Sequence, residues 1–537
     1  MIAHQRVFRF NRTVNQKVIW RLRLRWLGIA TLIVFAASIL LLVFERVRGA
    51  RAIKNRISEL IQRGEQFEIV KLEPIRPTPA EDAAAALLLL TNRLNSATTN
   101  FYTMIPPRST FAAPGKAVVS SRLAHWKNPL DKRTTNTWVA IHARLAEDPN
   151  LPEAIHAALL KSGWNDGFVY HKGFVDFQIG PLPHWKEMAL HLEVCALGAL
   201  NEGRVPVAVG RVEDMLRLVR HQGNSSLIIS ELVRIACAAM SWHACWEIVV
   251  SGQSSEVQLA RLQAAWEGFN FSANMARAME MERAMTMDQF EQMLSSPGYL
   301  EKAVNQAESS RGWVFGVKWP TSGALLRQVH IPVWRFVWAR QDQLRSLNHL
   351  QTIIEFDRQV RTKSWAGLRA ETDIMDAQRS WLFEPQKRGP HQQKLGGYDR
   401  YRFLFSGMTL GIGSGATRKA LELETQRRLM IVAIALQRHQ LRHSAFPEQL
   451  EELRPDLLAS VPADPMDGKP MRYRRRPDGS PLLYSVGFDG QDNGGDASLP
   501  EGDQQSPGIW RGRDAVWPAM ASPAEAEQAA NEPPTRP

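Results

Sequence analysis

With 537 residues, 44% of them hydrophobic and 22% charged, the chain is long enough for more than one core and too apolar for a disordered polyelectrolyte. Its formal net charge of +12 would suggest nucleic acid, but Arg6, Arg9, Arg12, Lys17, Arg21, Arg23 and Arg25 supply seven of those charges ahead of one apolar run, with no acid among them. Topology and contact with anionic headgroups account for such a cluster, and no nucleic-acid partner is expected.

The run is Trp26–Phe44, WLGIATLIVFAASILLLVF, without a single charge. At ~1.5 Å per residue it is about long enough to cross a ~30 Å hydrocarbon layer as a helix. It exceeds the ~7–15 apolar residues of a cleaved signal peptide, and no small-x-small site follows it before Glu45 and Arg46, so an uncleaved signal anchor is expected. The basic front places residues 1–25 in the cytoplasm and 26–44 across the inner (cytoplasmic) membrane in a single pass, although Arg46, Arg48, Arg51, Lys54 and Arg56 reduce the charge asymmetry. Residues 45–417 are then an extracytoplasmic helical body.

Residues 51–67 read as a juxtamembrane helix ended by KLEPIRPTP. Thr78, Pro79 and Glu81 make a helix start, with a hydroxyl cap, proline in the first turn and an acid after it. EDAAAALLLLTNRLN is apolar on most sides and too short to span, so burial is expected. Residues 98–130, rich in Pro, Gly, Ser and Thr, read as loop. From Trp138 to Leu294 helices follow one another: Val212, Met215, Leu216 and Val219 recur at helical spacing, as do Leu259, Leu262 and Trp266. Breaks fall at Gly203, at 221–226 and at 251–255. Stacked helix hairpins of irregular length would bury these stripes.

Met275, Met279, Met281, Met285, Met287 and Met293 crowd one helix, where filling gaps in a core is their expected use. Trp313, Trp319, Trp334 and Trp338 mark either a groove or large core anchors. Cys195, Cys237 and Cys245 lie in helical segments and read as small buried side chains. His439 and His443 have the spacing of a zinc-protease helix, yet Gln440 stands where its glutamate would be. GIGSGA, residues 411–416, lacks the lysine and hydroxyl of a phosphate loop.

Residues 418–441 form a strong helix whose apolar stripe is Leu429, Val432, Ala433 and Leu436. Phe446 and Pro447 turn the chain into a short helix; MRYRR and PLLYSV then alternate like strands around Pro477, Asp478 and Gly479, a hairpin. Asp489, Gln491, Asn493 and Gly494 approximate the start of an EF-hand loop, while Pro500 stands at the twelfth place and Glu501 comes one late. Either an oxygen-rich clamp or a solvated Asp-Gly turn without metal fits that pattern.

Through Asp464, Pro465, Gly468, Pro470, Tyr473, Tyr484, Ser485, Gly487, Asp489 and Gly490, residues 418–518 resemble the C-terminal region of the major pseudopilin of type II secretion systems. The resemblance implies a calcium site around Asp489, Asp492, Asp496 and Asp514. The whole chain is also similar to large membrane-anchored proteins of Planctomycetes and Verrucomicrobia. The fifth residue after Gly28 is Ile33 where a prepilin has glutamate, so ordinary pilin processing does not follow. Residues 519–537, rich in Pro, Ala and Glu, read as a disordered tail.

The expected fold is thus mostly α: a transmembrane helix, an irregular helix-hairpin body, a small C-terminal β-hairpin and a tail. The expected role is binding or scaffolding in the cell envelope, with the lipid bilayer and a protein of the envelope as partners. A hydrolase with a Trp-lined helical groove and a pseudopilin-like filament subunit are the alternatives.

Overall fold

The computed structural model describes residues 3–98, 104–108, 111–127, 133–172, 175–309, 323–371, 399–409, 415–500 and 508–531. The fold is mostly helical, with small sheets toward the C-terminus. In chain order the longer elements are α1 (Ala3–Gln62), α2 (Ala83–Leu88), α3 (Thr91–Thr98), β1 (Phe111–Ala113), β2 (Lys116–Ala117), β3 (His125–Lys127), β4 (Thr135–Thr137), α4 (Trp138–Leu145) and α5 (Leu151–Leu159). There follow α6 (Leu182–Asn201), α7 (Val205–Gln222), α8 (Ile228–Ser251), α9 (Glu256–Glu267), α10 (Met275–Ser295), α11 (Pro297–Ser309) and α12 (Ala339–Val360). The chain ends with α13 (Gly415–His443), β5 (Arg472–Arg475), β6 (Pro481–Ser485), β7 (Ala515–Val516), β8 (Ala519–Met520) and α14 (Pro523–Asn531).

Two compact units divide the chain: residues 1–65, 290–348 and 393–409 in the first, the remainder in the second. The first is organised on α1. The window of α1 that is long and apolar enough to cross a membrane has none of its residues buried in the protein. Past Phe44 the same helix continues without a break, and its inward residues Ile53 (4% exposed) and Leu60 (0%) become core. The juxtamembrane helix expected at 51–67 is therefore the end of α1 itself. Gly49 is buried at its crossing with the 339–348 region, where a Cβ would stand 2.8 Å from Gln341 Cγ. Only glycine permits that approach.

In the second unit α6, α7 and α8 pack on one another, and α13 lies against α8 and α9. The stripes read from sequence form this core: Val212, Met215, Leu216, Val219, Leu259, Leu262, Trp266, Leu429, Val432, Ala433 and Leu436 are all buried. Trp242, Trp246 and Trp266 are core anchors whose indole N–H groups are satisfied, by the carbonyls of Gln426 (3.0 Å) and Pro518 (3.1 Å) and by Cys245 Sγ (3.4 Å). The six methionines of α10 are buried, as gap-filling requires. Helix α8 is itself long and apolar enough to cross a membrane, but 61% of its window is buried, and it packs as a core helix. The three cysteines are free thiols.

The expected break at 251–255 is built from Gly252 in the left-handed region (φ 68°) and a capping box in which Ser255 and Gln258 exchange hydrogen bonds. The expected start at Thr78 gives way to Asp82. Thr78 Oγ1 donates to Glu81, while Asp82 Oδ1 accepts from the amides of Ala84 (3.0 Å), Ala85 (3.3 Å) and Asn165 (3.2 Å). The tertiary bond to Asn165 selects this cap. The apolar helix also divides after Leu88, leaving Leu89 81% exposed where full burial was expected.

Within the loop region 98–130 the described residues include β1 and β2, which join β8 in a sheet of order β1-β2-β8, β8 running parallel to β2. The hairpin β5–β6 forms in the register Arg472 to Tyr484 through Arg475 to Pro481, with Gly479 at φ 82° in its turn, and β7 adds to β6. Residues 519–531, expected to be disordered, hold β8 and α14; residues 532–537 lie outside the described residues.

Candidate functional site

A cavity of about 850 Å³ lies in the first unit. It is built on a helix that departs from α geometry. Residues 323–360 are helical, with π-helical turns over Leu326–His330 and Trp334–Trp338 on either side of Pro332. Proline has no N–H for the carbonyl four residues earlier, and a widened turn absorbs the mismatch. Arg327, Ile331 and Arg335 form one row along the cavity, Pro332, Phe336 and Arg340 another. Arg46 and Ala50, one turn apart on α1, make a second wall; Leu294, Pro297, Leu300, Glu301 and Val304 close it.

Asp342 holds this geometry. It is fully buried, and its Oδ2 accepts from Trp334 Nε1 (2.9 Å) and from the amides of Leu404 (2.9 Å) and Phe405 (2.8 Å), its Oδ1 from that of Ser406 (3.0 Å). Burial pushes its carboxyl above the usual range while these donors pull it back. Trp334 is thereby fixed against Phe405, ring centres 4.8 Å apart. Trp334 (0% exposed) and Trp338 (9%) fill the interior instead of lining a groove; Trp313 and Trp319 lie outside the described residues.

The cavity arginines differ in how they are paired. Arg340 forms an ion pair with Glu291, and Arg327 Nη2 donates to Asn305 Oδ1 at 2.8 Å. Arg46 Nη1 donates to the carbonyl of Phe336 at 3.2 Å, with its guanidinium 4.3 Å from that ring's centre. Arg335 spends Nε and Nη2 on the carbonyl of Leu294. Among the described residues neither Arg46 nor Arg335 has a carboxylate within ion-pair distance. Both keep N–H donors to spare, in a cavity walled mainly by Ile331, Leu300, Val304 and Val337.

The four carboxylates named for calcium lie in the second unit. Asp514 accepts from the amides of Asn493 (3.3 Å), Gly495 (2.7 Å) and Asp496 (3.1 Å). Asp492 accepts from Tyr484 Oη (2.9 Å), the Gly494 amide (3.0 Å) and Arg472 Nε (3.3 Å). Asp496 braces Ser498, and Asp489 the amide of Gln491 at 2.9 Å. Among the described residues no three His, Cys, Asp or Glu side chains come together as a metal would need. In this arrangement these carboxylates fasten the loop to itself. The rings of His439 and His443 lie tilted with centres 4.3 Å apart on α13, His439 Nδ1 lying 2.9 Å from the Ala445 carbonyl.

Two of the residues that carry the pseudopilin resemblance, Asp464 and Ser485, bond to each other. Asp464, fully buried, accepts from Ser485 Oγ (2.8 Å) and the amides of Met466 (2.9 Å) and Val486 (3.0 Å), tying the DP turn to strand β6. Arg472 pairs with Asp467, and Tyr473 Oη donates to the Pro447 carbonyl at 2.7 Å.

Compared with protein-family models, with curated proteins and with solved structures, the chain matches none.

Proposed function

We propose that this chain is a single-pass, membrane-anchored binding or scaffold protein of the cell envelope, with its N-terminus in the cytoplasm and its body beyond the inner membrane. One observation carries the reading: the nineteen apolar residues bury nothing within the protein, yet the helix they form runs straight on into a packed unit. Apolar surface of that extent on a helix of that length calls for a bilayer around it. The cavity beside residue 46, with its surplus guanidinium donors, supports binding as the work done there.

Fractionation and labelling test this. The full-length protein should stay with membranes through an alkaline carbonate wash. An impermeant maleimide should label Glu527→Cys in intact spheroplasts and Thr13→Cys only after permeabilisation. Recovery in the soluble fraction, or Thr13→Cys labelled from outside, would overturn the reading.

A narrower reading links the protein to a secretion assembly and rests on the sequence resemblance of residues 418–518 to the pseudopilin C-terminal region. Cross-linking in intact membranes should join residues near β5 and β6 to inner-membrane secretion components. A cross-linking pattern without them counts against that link.

A further inference from the structure

We propose that the cavity at the foot of the membrane helix holds the phosphodiester headgroup of a bilayer lipid, with part of its acyl chain along the cavity's apolar wall. The inference rests on the reading that Trp26–Phe44 crosses a bilayer, and it names the ligand of the site described above. Position comes first: Arg46 stands two residues beyond Phe44, so the cavity opens at the depth where headgroups lie. Chemistry comes second. Arginine presents a planar fork of donors that matches a phosphodiester oxygen pair, and it sheds water more readily than lysine.

Arg46 and Arg335 are held in place by the carbonyls of Phe336 and Leu294 and keep donors that no described protein group uses. The Phe336 ring beneath Arg46 fixes the guanidinium further. Size comes third, since about 850 Å³ falls among small-molecule sites and exceeds what an inorganic anion fills. Last, Phe336 (52% exposed) lines the cavity, and Leu325 (57%) and Val329 (52%) are exposed apolar side chains on the same helical stretch. A free phosphate would use the arginines and leave Ile331, Leu300 and Val304 bare; an acyl chain covers them.

Glu301 also lines the cavity, on the exposed side of α11, and its charge opposes an anionic guest. Full-length protein, purified in neutral detergent and reconstituted in nanodiscs of stated composition, is measured by native mass spectrometry after detergent washing. Phosphatidylglycerol should remain bound one to one, diacylglycerol with the same chains should not, and millimolar inorganic phosphate should fail to displace the lipid. The double substitution Arg46→Gln with Arg335→Gln should cut retention about ten-fold. Glu301→Gln, a surface change, should raise it.

Equal retention of diacylglycerol, displacement by phosphate alone, or retention unaltered by Arg46→Gln with Arg335→Gln would overturn the proposal. Should that double variant fail to fold, unchanged retention in Glu301→Gln would overturn it instead. Loss of lipid binding with the protein still in the membrane fraction sinks the site and leaves the anchor standing.

Discussion

Several ionisable side chains are spent on the interior of the fold. Glu282 on α10 is 4% exposed, accepts from the Ile228 amide at 3.3 Å, and is pushed up to about 7 by burial. A carboxyl whose folded pKa lies above its unfolded value near 4.5 binds its proton more tightly in the native state. Its contribution is whole below the unfolded value and is lost as pH climbs through the folded one. Between pH 5 and 8 the parent should therefore lose about 2–3 kcal/mol relative to Glu282→Gln, read from urea unfolding at both pH values. Identical pH slopes would refute the assignment. His191 and His243, held down to about 4 and about 3 by burial, titrate in both proteins and cancel from the comparison.

Such residues show how far sequence reading reaches. The DP turn and the LYSV strand were visible as a motif, but the reason for Asp464, an acceptor for Ser485 and Val486 some twenty positions away, exists only once the chain has folded. Asp489, Asp492, Asp496 and Asp514 read as ligands because aspartates in glycine-rich chain are what calcium uses. Backbone amides of the same loop donate to those oxygens, and no local pattern reveals that pairing.

At the scale of elements, periodicity was a good guide wherever one face is buried, as on α7, α9 and α13. It failed where a tertiary bond chose among local options, as at Asp82 against Thr78. Pro332 is the informative irregularity. Alanine there would supply the missing N–H and let residues 326–338 relax toward an α-helix, turning Arg327, Arg335 and Phe336 away from their shared cavity. Pro332→Ala should raise the thermal midpoint of the first unit by a few degrees, corresponding to ~1 kcal/mol or more, while lowering phosphatidylglycerol retention. A variant that is stabilised yet retains lipid as before would show that the π turns have no part in the site.

The whole molecule was legible in outline: one apolar run, a helical body and a small β region. Its cavity was not, because Arg46 and Arg335 stand 289 positions apart and only the packing of the 334–338 turn on α1 joins them. The sole sequence signals were an arginine just past the apolar run and a proline inside a helical pattern. Since residues 26–44 contribute no core, a polypeptide starting at Glu45 should stay soluble and unfold within ~3 °C of the full-length protein in detergent. A markedly lower midpoint would mean that the apolar run supports the fold after all.

The unbroken course of α1 has a mechanical corollary. Beyond Phe44 the rod goes on for another ~27 Å, with neither proline nor glycine hinge to bend it before Gln62 apart from Gly49, which is clamped against Gln341. If residues 26–44 cross a bilayer as proposed, a thinner or thicker one, which makes a span lean more or less, would swing the outer half of that lever through the same angle. Lipid composition would then set the attitude of the first unit above the surface, much as a mast follows its keel.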